Sequence, residues 1–216
     1  MDEYLERRKK MVEKLRNELR ISDKVAKAML EVPRHLFVPP HLRKEAYNDY
    51  PLPIGHGQTI SAPHMVAIMC DLLDLREGEK VLEVGTGSGY HAAVVSRIVG
   101  EKGLVVTVER IPELAETARK IYESLGYDNI VVVVADGSLG YGELAPYDKI
   151  YVTASAPKIP VKLLAQLKNG GRMVIPVGDF VQYLYVVDKD EYGRVTKRSW
   201  GAVRFVPLIG EEGFED

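Results

Sequence analysis

Apolar residues recur at helical spacing near the start of the chain. Between Tyr4 and Leu19 they alternate with Arg and Lys in a pattern that predicts an amphipathic helix. Ser22 can cap a second helix, which has to end before Pro33 because proline removes a backbone hydrogen bond. The segment Val38–Ser61 is rich in Pro, Gly and Tyr and has no clear period. We predict a long loop there, of the kind that usually serves function.

From Lys80 onward, short apolar runs of strand length alternate with helical stretches. Such alternation predicts a parallel sheet covered on both faces. The strand-like runs are 81–84, 104–108, 130–135, 149–152 and 172–177, and the helical stretches are 90–98, 112–125 and 161–167. The tail contains only strand-like runs, at 181–187, 195–200 and 202–206, and we predict an antiparallel hairpin at the sheet edge.

The predicted fold class is therefore α/β, with a doubly wound, mostly parallel sheet. We expect one domain over residues 1–216, because 216 residues with 46% hydrophobic composition suffice for one substantial core. Within it, residues 1–60 form an N-terminal helical and loop extension, 61–178 the cofactor-binding core and 179–216 the C-terminal strands.

Charge and composition narrow the possible partners. The formal net charge of −2 gives no overall field that would hold a polyanion, so nucleic acid is not an expected partner. No apolar run has the length of a membrane span, and the charged first ten residues do not resemble a signal peptide.

One cysteine cannot form an internal disulfide, which favours a reducing cytoplasm. The scarcity of Asn and Gln beside abundant Glu and Lys suggests a thermophilic source. We expect a monomer.

A glycine loop connects the first strand of the core to the following helix. The run 81–90 reads Val-Leu-Glu-Val-Gly-Thr-Gly-Ser-Gly-Tyr, so Gly85, Gly87 and Gly89 are separated by Thr86 and Ser88. Glycines let a ligand approach the backbone, and the helix start presents free N–H groups. Glu109 ends the next strand, where a carboxylate can accept hydrogen bonds from both ribose hydroxyls.

A dinucleotide and S-adenosylmethionine are the two ligands that suit this arrangement. The dinucleotide motif has its third glycine five positions after the first, whereas Gly89 follows Gly85 by four. Glu83 would oppose a pyrophosphate but suits an ammonium and a sulfonium. Asp136, after the third strand, can accept a hydrogen bond from an adenine amino group, or can simply belong to a turn. We predict S-adenosylmethionine, with Arg110 and Gly137 included in its site beside Glu109 and Asp136.

Several methyl acceptors are disfavoured by the residues present. The segment Thr153–Pro157 lacks the polar anchor and aromatic ring that usually bind an exocyclic base amine. Cys70, the candidate nucleophile for pyrimidine carbon, lies among apolar residues at helical spacing and is predicted to be core. The five histidines show no paired ligand spacing, so no metal site is predicted.

A carboxylate acceptor needs no base, because it is ionised at neutral pH. The segment Gly55–His64 offers glycines, hydroxyls and a helix start at Ala62-Pro63, which favours an anion. Ser61 is the candidate orienting hydroxyl, although it can also be only a helix cap. His64 is expected on the same side of this helix start, as a packing or supporting residue with no proton to remove.

Longer blocks of the sequence resemble protein-L-isoaspartate O-methyltransferases, within the class I S-adenosylmethionine-dependent methyltransferases. These blocks are Val32–Pro39, Ala46–Gly55, Gln58–Met65, Gly170–Gly178 and Val203–Leu208. The resemblance implies that Ser61 is the active-site hydroxyl and that Thr59 and Ile60 lie near the cofactor. It also implies a peptide site that includes Gln58, Thr59, Ser61, His64 and Val206. The family commonly continues the last block with Thr, where this chain has Ile209.

The resemblance implies repair of damaged proteins and peptides. Methyl transfer to the α-carboxylate of an L-isoaspartyl residue makes an ester, which collapses to a succinimide without the enzyme and partly returns to aspartate on hydrolysis. The alternatives are a class I methyltransferase for a small-molecule carboxylate or RNA, a nonenzymatic cofactor-binding module, and an NAD oxidoreductase.

Overall fold

Two capped helices begin the chain in the computed structural model, which describes residues 2–216. Helix α1 spans Glu3–Leu19, and helix α2 spans Asp23–Glu31. Asp2 accepts a hydrogen bond from the Tyr4 N–H and caps α1, while Ser22 accepts one from the Val25 N–H and caps α2. The prediction of two N-terminal helices is confirmed.

The segment predicted to be a long loop contains regular structure. Residues 40–45 form a 3-10 turn, and strands β1 (Leu52–Gly55) and β2 (Gln58–Ile60) form an antiparallel hairpin. Its two-residue turn has φ of 55° at His56 and 70° at Gly57, the pair of positive values that a type I′ turn requires. The loop prediction was therefore wrong for residues 52–60. The hairpin brings Ser61 to the start of helix α3 (Pro63–Leu73).

The core is a seven-stranded sheet with the order β5-β4-β3-β6-β7-β8-β9. Strands β3 to β7 are parallel, whereas β8 and β9 are antiparallel to their neighbours, so the predicted fold class and edge hairpin are confirmed. The strands are β3 (Lys80–Val84), β4 (Leu104–Glu109), β5 (Ile130–Val134), β6 (Tyr147–Val152), β7 (Leu167–Gly178), β8 (Gln182–Lys189) and β9 (Val195–Val203). The helices between them are α4 (Tyr90–Val99), α5 (Pro112–Leu125) and α6 (Val161–Gln166). Instead of two tail strands separated at Gly201, β9 runs through that glycine to Val203.

Apolar side chains cover both faces of this sheet. Val81 of β3 belongs to a cluster that includes side chains of α1 to α5, and its neighbour Leu82 belongs to a second cluster that includes Leu163 of α6. Strand residues alternate between faces, so a continuous apolar run such as β3 is what a sheet buried on both sides needs. Within residues 2–216, no helix combines the length and apolar character needed to cross a membrane.

The connection order fixes where a ligand can bind. From β3, the chain proceeds outward through β4 and β5 on one side, then returns to β6 on the other side. The loops that follow β3 and β6 therefore diverge at the carboxyl ends of the strands, and open α/β sheets bind ligands in the crevice that this divergence creates.

Candidate functional site

A cavity of about 590 Å³ lies at this edge of the sheet. It is bounded by the β1–β2 hairpin, the start of α3, the loops after β3 and β4, and the segment that follows β9. Thirteen of the sixteen residues predicted for the site line it. They are Gln58, Thr59, Ile60, Ser61, His64, Gly85, Thr86, Gly87, Ser88, Glu109, Arg110, Gly137 and Val206.

The glycine loop is held so that its backbone faces the cavity. Gly85 and Gly87 have φ of 97° and 54°, values that L side chains rarely adopt. A Cβ at Gly85 would also overlap the hydroxyl of Thr153, which donates a hydrogen bond of 2.6 Å to the Gly85 carbonyl oxygen. Glycine is therefore required at position 85 for two reasons: the backbone has a positive φ, and Thr153 at the end of β6 packs directly against it.

Glu109 is buried and points its carboxylate at the same loop. Oε1 accepts a hydrogen bond of 2.9 Å from the Gly87 N–H, and Oε2 accepts one of 2.9 Å from the Ile111 N–H. Each carboxylate oxygen has a second lone pair, so Glu109 can still accept from two hydroxyls of a ligand in the cavity. Arg110 beside it is exposed, and its guanidinium lies 3.9 Å from the carboxylate of Asp216.

Glu83 does not line the cavity and supports the glycine loop from behind. Its fully buried carboxyl accepts hydrogen bonds of 2.5 Å from the hydroxyls of Thr107 and Tyr151, which lie directly opposite it on β4 and β6. Burial raises the pKa of Glu83 to about 8. The Thr107 hydroxyl also forms a 2.6 Å hydrogen bond with the hydroxyl of Thr86, which connects Glu83 to the glycine loop. We therefore revise the predicted role of Glu83 from ligand contact to loop support.

Gly89 and Asp136 also lie outside the cavity lining. A Cβ on Gly89 would come within 2.7 Å of the Tyr122 hydroxyl, so this glycine allows α4 to pack against α5. Asp136 accepts hydrogen bonds from the N–H and hydroxyl of Ser138 through Oδ1, and from the Glu211 N–H through Oδ2. Its carboxylate fastens the C-terminal tail, whereas the neighbouring Gly137 lines the cavity as predicted. The predicted adenine contact is therefore replaced by a structural role for Asp136 in this structure.

Ser61 is positioned between the hairpin and α3, and it is not the helix cap. The cap position of α3 is Ala62, and Pro63 occupies the first turn. Within residues 2–216, the Ser61 hydroxyl has no hydrogen-bond partner, and the half-buried side chain lines the cavity. The hydroxyl is thus available to a ligand, and the alternative that it serves only as a cap is wrong.

Asp49 is a site residue that the sequence analysis missed. One of its oxygens, Oδ1, accepts hydrogen bonds of 2.9 Å from both the backbone N–H and the Nδ1 of His64. This contact fixes the imidazole ring against the cavity wall and leaves Nε2 as the ring nitrogen available to a ligand. Asp49 lies in an aperiodic segment fifteen residues before His64, so no spacing rule connects them. The only feature of the sequence that pointed to this region was its content of Pro and Tyr, which is typical of a functional loop.

Two further buried groups lie beneath the cavity. His91 lines it from α4, and burial lowers the pKa of its ring to about 3, so the ring is neutral. The Cys70 sulfur lies 3.5 Å from the His91 Nε2 and is fully buried, as the core prediction for Cys70 requires. Across residues 2–216, no group of three or more His, Cys, Asp or Glu side chains is arranged to hold a metal ion.

Comparisons with known proteins agree with this geometry. Residues 6–213 match the family model described as protein-L-isoaspartate(D-aspartate) O-methyltransferase. The chain is 66% identical over 213 residues to protein-L-isoaspartate O-methyltransferase 2 of Archaeoglobus fulgidus, with 99% of this chain and 97% of that protein covered. It is 60% identical over 212 residues to the Methanopyrus kandleri protein-L-isoaspartate O-methyltransferase, with 97% and 94% covered.

Solved structures show the same likeness. A protein-L-isoaspartate O-methyltransferase superposes with a TM-score of 0.88 at 35% identity, covering 95% of this chain and 67% of that one. A beta-aspartate methyltransferase from Plasmodium falciparum, solved in complex with S-adenosyl-L-homocysteine, superposes with a TM-score of 0.84 at 29% identity, covering 94% and 98%. The family match over most of the chain and these near full-length relatives establish that this chain belongs to the protein-L-isoaspartate(D-aspartate) O-methyltransferase family.

Proposed function

We propose that this protein is a single-domain repair enzyme that methylates the α-carboxylate of L-isoaspartyl residues in damaged proteins and peptides. One observation carries the proposal: the free hydroxyl of Ser61 faces the same cavity as the glycine loop and Glu109. A cofactor on the loop side and an acceptor carboxylate on the hairpin side would therefore meet within one cavity.

The residues on the loop side fit S-adenosylmethionine. When bound, this cofactor supplies an electrophilic methyl group on a positively charged sulfur. Glu109 has spare acceptor capacity for the ribose hydroxyls, and its charge suits a cationic ligand. The side-chain-free backbone of Gly85 and Gly87 leaves room for close approach. The proposed cofactor contacts are Thr59, Ile60, Gly85, Thr86, Gly87, Ser88, Glu109, Arg110 and Gly137.

The residues on the hairpin side fit a carboxylate that acts as its own nucleophile. Isoaspartate is ionised at neutral pH, so the site has no proton to remove and has only to orient one carboxylate oxygen. Ser61 can donate a hydrogen bond to the other oxygen. The eleven-residue helix α3 begins beside it, but the N–H of His64 in its first turn already donates to Asp49, so only the positive end of the helix dipole is left to favour the acceptor anion. Proposed substrate contacts are Gln58, Thr59, Ser61, His64 and Val206.

The distinction between isoaspartate and aspartate follows from backbone geometry. In isoaspartate the main chain runs through the side-chain methylene, so the free carboxylate is attached to the α carbon. The hairpin that positions Ser61 and the extended segment around Val206 lie on the cavity wall, where they can hold a peptide chain on both sides of that carboxylate. We propose that these two segments recognise the position of the carboxylate and select only weakly among the side chains next to the isoaspartate.

The test is a pair of peptides of one sequence that carry either isoaspartate or aspartate at one position. We expect labelled methyl from S-adenosylmethionine to enter only the isoaspartyl peptide, and the label to be released at mild alkaline pH, because the product is an ester. Equal rates on both peptides, or a label stable to base, would refute the proposal. Base-stable label in RNA would instead support the RNA alternative.

We also propose that the protein works as a monomer in the cytoplasm of a thermophile, without a nucleic-acid or membrane partner. The single thiol of Cys70 is buried and reduced, and linked ion pairs such as Lys24–Asp74–Arg76 become more useful at high temperature. Light scattering at micromolar concentration tests the monomer, and a melting temperature well above the roughly 45–65 °C of mesophilic domains tests the thermophilic adaptation.

A further inference from the structure

The turn between β7 and β8 carries exposed apolar side chains at the same edge of the sheet as the cavity. Phe180 is 99% exposed and Val181 is 65% exposed, although large apolar side chains are usually at least partly covered. Tyr183, at the start of β8, is 43% exposed. We call the three side chains Phe180, Val181 and Tyr183 the aromatic rim. The activity described above assigns no role to the aromatic rim.

The turn is fixed rather than free to fold back. Gly178 has φ of 135°, and a Cβ there would overlap the Val181 carbonyl oxygen, so only glycine permits this conformation. The Gly178 N–H donates to the Ala156 carbonyl oxygen at 2.9 Å, and the Ser155 hydroxyl donates to the Gly178 carbonyl oxygen at 2.7 Å. The base of the turn is therefore attached to the loop that follows β6, which itself borders the cavity through Ala154.

Gln182 joins the turn to the cavity wall directly. Its side-chain amide donates to the carbonyl oxygens of Asp179 in the turn and Phe205 in the wall, at 3.3 Å and 3.0 Å. Its side-chain oxygen accepts a hydrogen bond of 2.7 Å from the Phe205 N–H. One side chain thus connects the aromatic rim to the segment 202–209, all of which lines the cavity.

Strand register places one member of the aromatic rim beside a residue that lines the cavity. Tyr183 lies directly opposite Ala202, which lines the cavity. Paired residues of antiparallel strands present their side chains on the same face. Phe180 lies three residues further along, so its Cα is within about 17 Å of that of Ala202, from ~3.8 Å per residue and at most ~5.5 Å between paired strands. About five residues of extended chain span this distance.

We propose that the aromatic rim is a second binding site, which takes an apolar side chain of the substrate polypeptide a few residues from the isoaspartate. This inference rests on the proposed function and adds a substrate class to it. The extra methylene of isoaspartate disturbs regular backbone hydrogen bonding, so a damaged segment exposes apolar side chains that a folded protein buries. An apolar surface next to the cavity selects such unfolded segments over intact surface loops.

The experiment moves one Leu along an isoaspartyl peptide that otherwise contains Ser and Lys, from three to eight residues on either side of the isoaspartate. For the wild type we expect kcat/KM to be about tenfold higher at the best position than for the all-polar peptide, equivalent to ~1.4 kcal/mol. Phe180→Ala should reduce this ratio to less than twofold, through a loss on the Leu peptide, and Phe180→Leu should retain most of it.

Tyr192→Ala is the matched control. Tyr192 is 81% exposed and lies in the turn between β8 and β9, at the opposite end of the hairpin from the cavity, so the tenfold preference should persist. A wild-type profile that is flat along the whole peptide, or a preference that survives Phe180→Ala, would overturn the proposal. Failure of the proposed function would look different, since no isoaspartyl peptide would be methylated by any variant.

Discussion

Glu83→Gln should remove the pH dependence of stability that the buried carboxyl imposes. In the unfolded chain Glu83 ionises near pH 4.5, whereas in the folded protein burial raises its pKa to about 8. Between these values the folded state holds one more proton than the unfolded state, so rising pH favours unfolding. The contribution to stability is complete below pH 4.5 and is lost as the pH rises through about 8. Glutamine has nearly the same shape, cannot ionise, and can accept from one hydroxyl and donate to the other.

The size of the effect follows from the width of that window. Each pH unit is equivalent to about 1.4 kcal/mol, so the free energy of unfolding of the variant should gain ~3 kcal/mol on the wild type between pH 5 and pH 7.5. Guanidinium unfolding, monitored through the fluorescence of the single tryptophan, Trp200, measures this difference at each pH. Glu101→Gln, which changes an exposed carboxylate at a turn, is the control.

The result that refutes the reasoning is a constant difference between Glu83→Gln and wild type from pH 5 to pH 9. It would mean that the carboxyl is ionised in the folded protein throughout, and that the hydroxyls of Thr107 and Tyr151 suffice to stabilise the charge. The raised pKa of Glu83 would also be contradicted if the variant gained free energy of unfolding on the wild type only above pH 8. The difference has to begin near the pKa that Glu83 has in the unfolded chain.

Three experiments test other parts of the cavity. Ser61→Ala should lower kcat by about tenfold to a thousandfold through loss of an orienting donor, with the calorimetric affinity for S-adenosylhomocysteine retained; unchanged turnover would remove Ser61 from the mechanism. Asp49→Asn should lower kcat/KM for the peptide about tenfold by loosening the His64 ring, and His64→Ala should then add little in the double variant, whereas additive losses would show independent roles. Gly85→Ala should cost about 1–3 kcal/mol of stability and abolish cofactor binding, while Gly100→Ala, with φ of 72° and open space around it, controls for backbone strain alone.

Sequence periodicity was sufficient to predict the sheet but not its local irregularities. Strands β3 to β6 are short apolar runs bounded by turns, so their existence and type could be predicted. The β1–β2 hairpin was missed because Pro53 interrupts the alternation and because its turn has His56 in the left-handed conformation, where Asn or Asp would have been the recognisable signal. Gly201 was taken as a break, although pairing with Leu184 keeps it inside β9.

Residues of the site were predictable where one segment carries its own signal. The glycine loop and the Gln58–His64 segment are continuous in sequence, and the structure places both on the cavity. Glu83 and Asp136 were assigned to the ligand because their partners were unknown. Apart from Ser138, which is two residues from Asp136, those partners come from other elements: Thr107 and Tyr151 through strand register, and Glu211 through the fold of the tail. A single sequence does not specify either pairing, so a carboxylate that serves the structure could not be distinguished from one that contacts a ligand.

The distribution of perturbed acids agrees with the chemistry proposed for the cavity. Strongly shifted pKa values often mark sites of general acid or base catalysis, but structural networks also produce them. Here burial raises the pKa of Glu83, which lies behind the glycine loop, and lowers that of His91, which lines the cavity from the first turn of α4 as a neutral ring. Ser61, which faces the cavity directly, is a neutral donor. An acceptor that is already a carboxylate needs orientation rather than proton removal. A hydrogen-bonded network that keeps the glycine loop rigid serves that orientation. The wild type should therefore lose stability relative to Glu83→Gln as the pH rises toward 8, but the kcat of the wild type should show no matching change in this range.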